Sequence, residues 1–452
     1  MNPKLSNNRT KIIWLAAILF LVVPNHSTGV ARASAGDLVA EFGLDGKVNT
    51  DFANNFDGAF AVATYPDGRI VLVGYSRTTN EFLDYDIAIA RYNPDGSLDQ
   101  TFGDGGRVIT DLNEFESASA VAIQPDGKIV VAGSISRIDG SHDFLLIRYN
   151  EDGTFDSSFG QGGLVSTDFY NSSDSAADLA ITPNGEIIVA GTIHGSTGLS
   201  DFALARYKSN GDLDSTFGSD GKVTFGLESA YESLAAMALS SKGEIVLVGD
   251  TITPQPETYN ADCLVVRLNR DGSPDASFGV DGRVITDFTG VDTLSDVAVT
   301  PNDEIVAVGT VEPFPPARFD FVVARYDRHG SLDPSFGTDG HVFTDFSTRE
   351  DFAFGVAVRP NGKILVAGRS KFNARGFYDD FAVARYNRDG TLDQSFGVGG
   401  LVLTDVLGYT DEARAVAILP SGRIIVAGVT WGEQIGPFYP NVDFGMVQYE
   451  WK

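Results

Sequence analysis

Acidic residues recur along this chain at fixed intervals, and arginines keep step with them. An aspartate opens the same short phrase seven times, at Asp86, Asp143, Asp201, Asp262, Asp320, Asp380 and Asp443. Six of the seven have an arginine five residues on: Arg91, Arg148, Arg206, Arg267, Arg325 and Arg385. A second series, Asp51, Asp111, Asp168, Asp287, Asp345 and Asp405, follows a threonine. Carboxylates and guanidinium groups so arranged can act as general acids and bases, coordinate a hard cation, or tie strands together by charge-assisted hydrogen bonds. A feature present in every copy of a repeat serves the scaffold, whereas a ligand site breaks the symmetry. Both series are therefore read as hydrogen-bond and ion-pair ladders.

Other constellations are weaker. "NPDGSLD" offers Asn93, Asp95 and Asp99, three oxygen donors of the kind calcium takes. Turn chemistry is the preferred reading, because copies three and five place Lys208 and His329 in the set and turn aspartates cap their own backbone. Calcium in some blades is the alternative, and no other cofactor is implied. His142, His194, His329 and His341 are scattered without metal spacing. Cys263 is the single cysteine and stands at an apolar repeat position, so it reads as a buried thiol and no intramolecular disulfide exists. No nucleophile elbow, phosphate-cradling loop or Cys/His pair is present, and no catalytic residue is assigned.

These residues sit on a period. Phe-Gly pairs begin at Phe42, Phe102, Phe159, Phe217, Phe278, Phe336 and Phe396. Such spacing marks a propeller or solenoid. Each unit contains four strand-like pieces: a Val-x-Thr-Asp segment such as "KVNTDF", a small-residue segment such as Ala61–Ala63 or Asp178–Ala180, an apolar "KIVVAG" segment, and a "DFAVARY" segment. Pro-Asp-Gly and Asn-x-Asp-Gly turns separate them. The apolar segment lacks alternation, as in a sheet covered on both faces. The small-residue segment suits the crowded centre of a ring. The expected fold is all-β: a seven-bladed propeller of four-stranded antiparallel blades. The chain begins with an isolated Val-x-Thr-Asp segment and ends on a "DFAVARY"-type segment, so the N-terminal strand is expected to complete the last blade.

"PDGKIVVAG", "DFLLIRYNEDGTFDSSFG" and "GRVITDL" resemble the delta-60 repeat, a bacterial repeat of exported and surface proteins taken to form propellers. The resemblance covers residues 36–452 in seven copies, about 41–100, 101–157, 158–215, 216–276, 277–334, 335–394 and 395–452. "VTFGL" at Val223–Leu227 lacks the Thr-Asp pair, and Gln448 replaces the arginine in the last copy. The resemblance implies a propeller fold and no particular activity.

Specificity is expected on the face where the connections vary. Its candidate binding residues are Tyr259, Arg318, Phe319, Arg375, Phe377, Tyr378, Trp431 and Tyr439, a set of aromatic faces and planar donors suited to a glycan or a peptide. The plainer reading is that these rings fill gaps between blades. Asp178 and Asp296 on the innermost strands are channel candidates for a cation or water. The function expected is a secreted, non-catalytic binding or surface-interaction module. The alternatives are a hydrolase or lyase using Asp178, Asp296, Glu312 or Glu433, or a purely structural part of a surface assembly.

Residues 1–35 carry Lys4, Arg9 and Lys11, an apolar run from Ile12 to Val23 and then "ARASAG", the layout of a secretory signal cut near Ala33 or Ala35. The mature chain is expected to be secreted, periplasmic or on the cell surface, monomeric, and without a membrane span. The net charge of −28 disfavours nucleic acid and anionic membranes as partners.

Overall fold

The computed structural model describes residues 33–52, 56–77, 85–137, 140–195, 198–227, 230–253, 260–288, 290–312, 318–346, 350–371, 378–434 and 440–452. By internal contacts the chain divides into Met1–Ala33 and Ser34–Lys452. Among its described residues the second unit forms seven four-stranded antiparallel sheets and no helix. Blade 1 runs outward through Asp57–Thr64, Ile70–Ser76, Asp86–Tyr92 and Arg107–Thr110. The inner strands of blades 2 to 6 are Glu116–Ile123, Asp174–Ile181, Tyr231–Leu239, Asp292–Val299 and Asp351–Val358.

Blade 7 consists of Asp411–Ile418, Ile424–Gln434, Pro440–Tyr449 and, as its outer strand, the N-terminal Lys47–Thr50. Lys47 lies opposite Val447 and Thr50 opposite Phe444, so the two ends of the repeat array share one sheet as expected. The seal extends further: Gly36 N donates to Glu450 O, Val39 N to Gln448 O and Glu450 N to Asp37 O.

The second strands are buried on both faces, with Ile70, Val71, Leu72 and Val73 all at 0% exposure. Sheets stacked face to face require this, and it explains the unbroken apolar run. Each core cluster mixes neighbouring blades; Ile70 and Ala88 of blade 1, for example, pack with Ile425 and Met446 of blade 7. Cys263 joins the core between blades 4 and 5, and burial pushes its thiol well above its usual range.

Every inner strand carries a β-bulge, which leaves one residue unpaired: Phe60, Ser119, Ala177, Ala235, Ser295, Phe354 or Arg414. Opposite each bulge stands the glycine of the "VAG" phrase. A Cβ there would lie 1.8–2.0 Å from the inner strand's carbonyl oxygen, so no side chain fits.

Three ties join neighbouring blades. Each repeat arginine pairs with the aspartate eight residues on, as in Arg91–Asp99 and Arg148–Asp156, at 2.7–2.9 Å. The same guanidinium stacks on the phenylalanine of the Phe-Gly pair at 4.4–4.8 Å. It also donates to a turn carbonyl of the next repeat, for example from Arg91 to Glu151 O and from Arg385 to Trp451 O. The arginine's partner is thus not the acid opening its own strand, because residues an odd number apart on a strand face opposite sides.

A tyrosine and the preceding blade's threonine form the second tie at 2.6–2.9 Å, as in Tyr149–Thr110. The exception is Leu268 with Phe225, where both polar partners are replaced and both side chains join one apolar cluster. The third tie runs from the Phe-Gly glycine N–H to the next turn, as from Gly103 to Asp152 O. At the closure Gly397 N donates to Ala35 O, so the N-terminal segment stands in for a seventh turn.

The ties and the bulge contacts both bear on stability. Arg91→Met, which leaves Asp99 without its guanidinium, should cost about 3 kcal/mol by denaturant melting. Gly133→Ala should cost at least about 3 kcal/mol, since backbone must move to admit the methyl group. Wild-type midpoints for both would show that the ties and the bulge contacts are dispensable.

Candidate functional site

The variable connections lie on the face where inner strands begin and third strands open. Tyr259, Arg375, Phe377 and Tyr439 lie outside the described residues. Arg318 is exposed and its charge is felt by Asp320. Phe319 is half-buried, its ring 5.1 Å from Phe352. Tyr378 is exposed and meets Tyr409 edge-on at 5.4 Å. Trp431 is half-buried, and its backbone N–H donates to Thr410 O.

The structure gathers a different set around the channel mouth. Blades 6, 7 and 1 are adjacent, and their bulge residues are Phe354, Arg414 and Phe60, where the other four blades have serine or alanine. Arg414 lies 4.4 Å over Phe354 and pairs with Glu412. Arg369 bridges Glu412 at 2.6 Å and Asp379 at 2.9 Å, and lies 4.5 Å over Phe352. From Phe60 a run of rings continues at 5.3 Å spacing through Tyr75, Tyr85 and Phe115. Burial, with the charge of neighbouring acids, pushes the Tyr75 hydroxyl up to about 12. Apart from Asp379, which is buried, these side chains are half-buried. The signal for three of them was available in the sequence: the small-residue rule fails at these adjacent copies.

Asp178 and Asp296 face the channel partly exposed, and their oxygens are engaged. Asp178 accepts from Leu179 N at 2.7 Å and, across to the next blade, from Met237 N at 2.8 Å. Asp296 accepts from Val297 N and Val356 N, both at 2.7 Å. Desolvation lifts the first to about 6 and, with the charge of Asp178, the second to about 7. Glu312 is half-buried, and the side chain of Glu433 lies outside the described set.

On the opposite face, Asn93, Asp95 and Asp99 serve the turn. Asn93 donates to Ser97 Oγ at 3.0 Å, Asp95 accepts from Ser97 N at 3.0 Å, and Asp99 holds Arg91 and Thr101. His142, His194 and His341 lie in strands, His142 and His194 at strand ends beyond the repeated phrases and His341 opening an outer strand.

The two acid series of the sequence meet at the blade junctions, joined by a third: Asp57, Glu116, Asp174, Glu232, Asp292, Asp351 and Asp411, which open the inner strands. Each of the seven is almost wholly buried. One oxygen accepts a backbone N–H just beyond the preceding outer strand, as Asp411 does from Val406 and Glu232 from Leu227. Oxygens of Asp57, Glu116, Glu232, Asp292, Asp351 and Asp411 remain buried without a hydrogen-bond partner. Desolvation raises Asp57, Asp292 and Asp351 to about 6, Glu116 and Glu232 to about 7, and Asp411 to about 8. An open cleft of about 650 Å³ lies at the junction of blades 2 and 3, lined by Glu114, Arg137, Asp143, Ser166 and Asp168 among others.

Residues 66–102, 124–159, 182–217, 243–278 and 359–396 match the family model described as a domain of unknown function (DUF5122) β-propeller. No curated protein matches the chain. Three solved structures similar to it all have a TM-score of 0.48. They are a streptogramin B lyase (10% identity, covering 89% of this chain and 97% of that one), a polysaccharide lyase (12%, 89% and 91%) and an ulvan lyase (12%, 91% and 94%). Likeness at that level carries no argument about chemistry. No helix among the described residues is long and apolar enough to cross a membrane. The matched segments are β-propeller repeats, in keeping with the sheets they form.

The buried acids set a pH dependence. A carboxyl that holds its proton more tightly folded than unfolded makes the fold less stable as pH rises between the two values. The arginine-paired aspartates, Asp156 and Asp393 above all, are held well below the usual range and act in the opposite sense. In metal-free buffer the denaturation midpoint should therefore peak near about pH 5, decline towards about pH 8, and decline again below about pH 4. Glu232→Gln should raise the midpoint at the alkaline end and reduce that slope. A flat profile between the two upper values would contradict the burial of these acids.

Proposed function

We propose that this protein is a non-catalytic binding propeller, exported from the cell, whose ligand sits over the channel mouth formed by blades 6, 7 and 1. The carrying observation is the asymmetry of the bulge positions. Phe354, Arg414 and Phe60 occupy three adjacent blades and link Arg369, Glu412, Phe352 and Tyr75, with the buried Asp379 behind them, into one array of rings and charges. Scaffold residues repeat in all seven copies; these do not.

The ligand class that suits this array is a glycan. Sugar rings offer C–H faces to aromatic rings and hydroxyls to guanidinium and carboxylate edges, and a rigid rim fixes their orientation. A peptide is the second ligand class. A hydrolase or lyase needs a carboxylate with an oxygen directed at the substrate, whereas Asp178 and Asp296 each give their oxygens to two backbone amides. That geometry supports clamps between inner strands.

A glycan and peptide array probed with the purified chain should retain a glycan. Arg414→Ala and Tyr75→Ala should each weaken that binding at least about tenfold, a change of ~1.4 kcal/mol. Asp95→Asn on the opposite face should leave it unchanged. Silence across the array, or indifference to both channel-mouth substitutions, would overturn the assignment. Turnover of a glycoside or lactone abolished by Asp296→Asn would replace it with the catalytic alternative.

A further inference from the structure

At five blade junctions, one carboxylate oxygen from each of three acids lies within 4.8 Å of the other two. The sets are Asp51, Asp57 and Asp443; Asp86, Asp111 and Glu116; Asp143, Asp168 and Asp174; Asp320, Asp345 and Asp351; and Asp380, Asp405 and Asp411. Three carboxylates at that range repel strongly when all are ionised, and the fold repeats the arrangement, so a proton or a cation must offset it.

At three of these junctions the acid that opens the third strand has a partner, and at a fourth, that of blades 5 and 6, the charge of Arg318 acts on the corresponding Asp320. Arg137 pairs with Asp143 and also reaches Ser166. Asn49 donates to Asp443 at 2.6 Å and Asn441 does so at 2.9 Å. Asp86 has an interaction partner of its own. At the junction of blades 6 and 7 the third-strand acid has neither an ion-pair nor a hydrogen-bond partner among the described residues. The Asp380 side chain is half-buried and makes no hydrogen bond or ion pair among the described residues, with Lys47 the one cation whose charge acts on it. Asp405 is exposed and caps the turn at Gly408. Asp411 is at 0% exposure, and its Oδ1 is buried with no hydrogen-bond partner. The nearby Lys47 directs its ammonium to the Asp405 carbonyl oxygen at 2.6 Å rather than to a carboxylate.

We infer that Asp380, Asp405 and Asp411 form a divalent-cation site, for calcium, at the junction of blades 6 and 7. Ligands on one calcium ion lie 2.3–2.6 Å from it, so oxygens within roughly 5 Å of one another can share it. Three carboxylates exceed the one or two that magnesium generally takes, and the exposed side of Asp405 leaves room for water ligands. The orphaned Asp411 oxygen is the second, independent observation: a buried acceptor without a donor requires a partner, and an ion is one. The site is separate from the turn residues Asn93, Asp95 and Asp99.

Equilibrium dialysis of the chelator-stripped full chain in 150 mM salt, with bound metal counted by mass spectrometry, tests the assignment. The expected result is at least one calcium per chain, at least tenfold preference over magnesium, and a rise of several degrees in Tm on adding calcium. Asp405→Asn, an exposed substitution, should remove one equivalent and that rise in Tm. Asp168→Asn, the same position at the junction served by Arg137, should remove neither. No bound calcium, an equivalent that survives Asp405→Asn, or equal losses in both variants would each overturn the site.

Discussion

A buried guanidinium holds neighbouring blades in register. Taken alone, a repeat arginine and its aspartate form a pair whose desolvation cost offsets most of the Coulombic gain. Here the same group also lies flat on the Phe-Gly ring and reaches a carbonyl of the following repeat, so one planar cation satisfies three partners. Lysine could not, because an ammonium has neither the plane nor the fork. The phenylalanine and the aspartate of the repeated phrase are that side chain's two partners within its own repeat.

The architecture was readable from the sequence because its determinants are local and repeated. Seven Phe-Gly pairs, unbroken apolar segments and a chain that starts and stops in complementary places lead to seven sheets and a shared closing strand. The candidate site was less readable. The long variable loops drew attention to Tyr259, Arg375 and Tyr439, whereas the array around the channel depends on which side chains a bulge turns inward. The residues at fault are single departures, Phe60, Phe354 and Arg414, inside strands that otherwise look alike. Pairing of acids was also hidden: Asp380, Asp405 and Asp411 are adjacent only because an inner strand, an outer strand and a third strand converge at one junction.

Symmetry and its violations divide the labour. Where all seven copies agree, the residues bear on neighbouring blades, as the glycines opposite the bulges do by leaving space for a carbonyl. Where one copy departs, compensation is sometimes visible, as when Leu268 and Phe225 together replace a tyrosine and a threonine. Where adjacent copies depart without such compensation, a surface of different character appears. The carboxylates of that face lie close together and largely buried, while the opposite face spends its acids on turns and arginines.

Each sheet borrows its outer strand from the following period, and the last borrows from the first. Adding or removing one whole sixty-residue period would therefore leave the two chain ends still complementary. Only the wedge angle between sheets would have to change. Internal duplication can thus alter the circumference of such a disc without ever exposing a raw border, and the seal at Lys47–Thr50 would close a ring of six or eight sectors by the same hydrogen bonds.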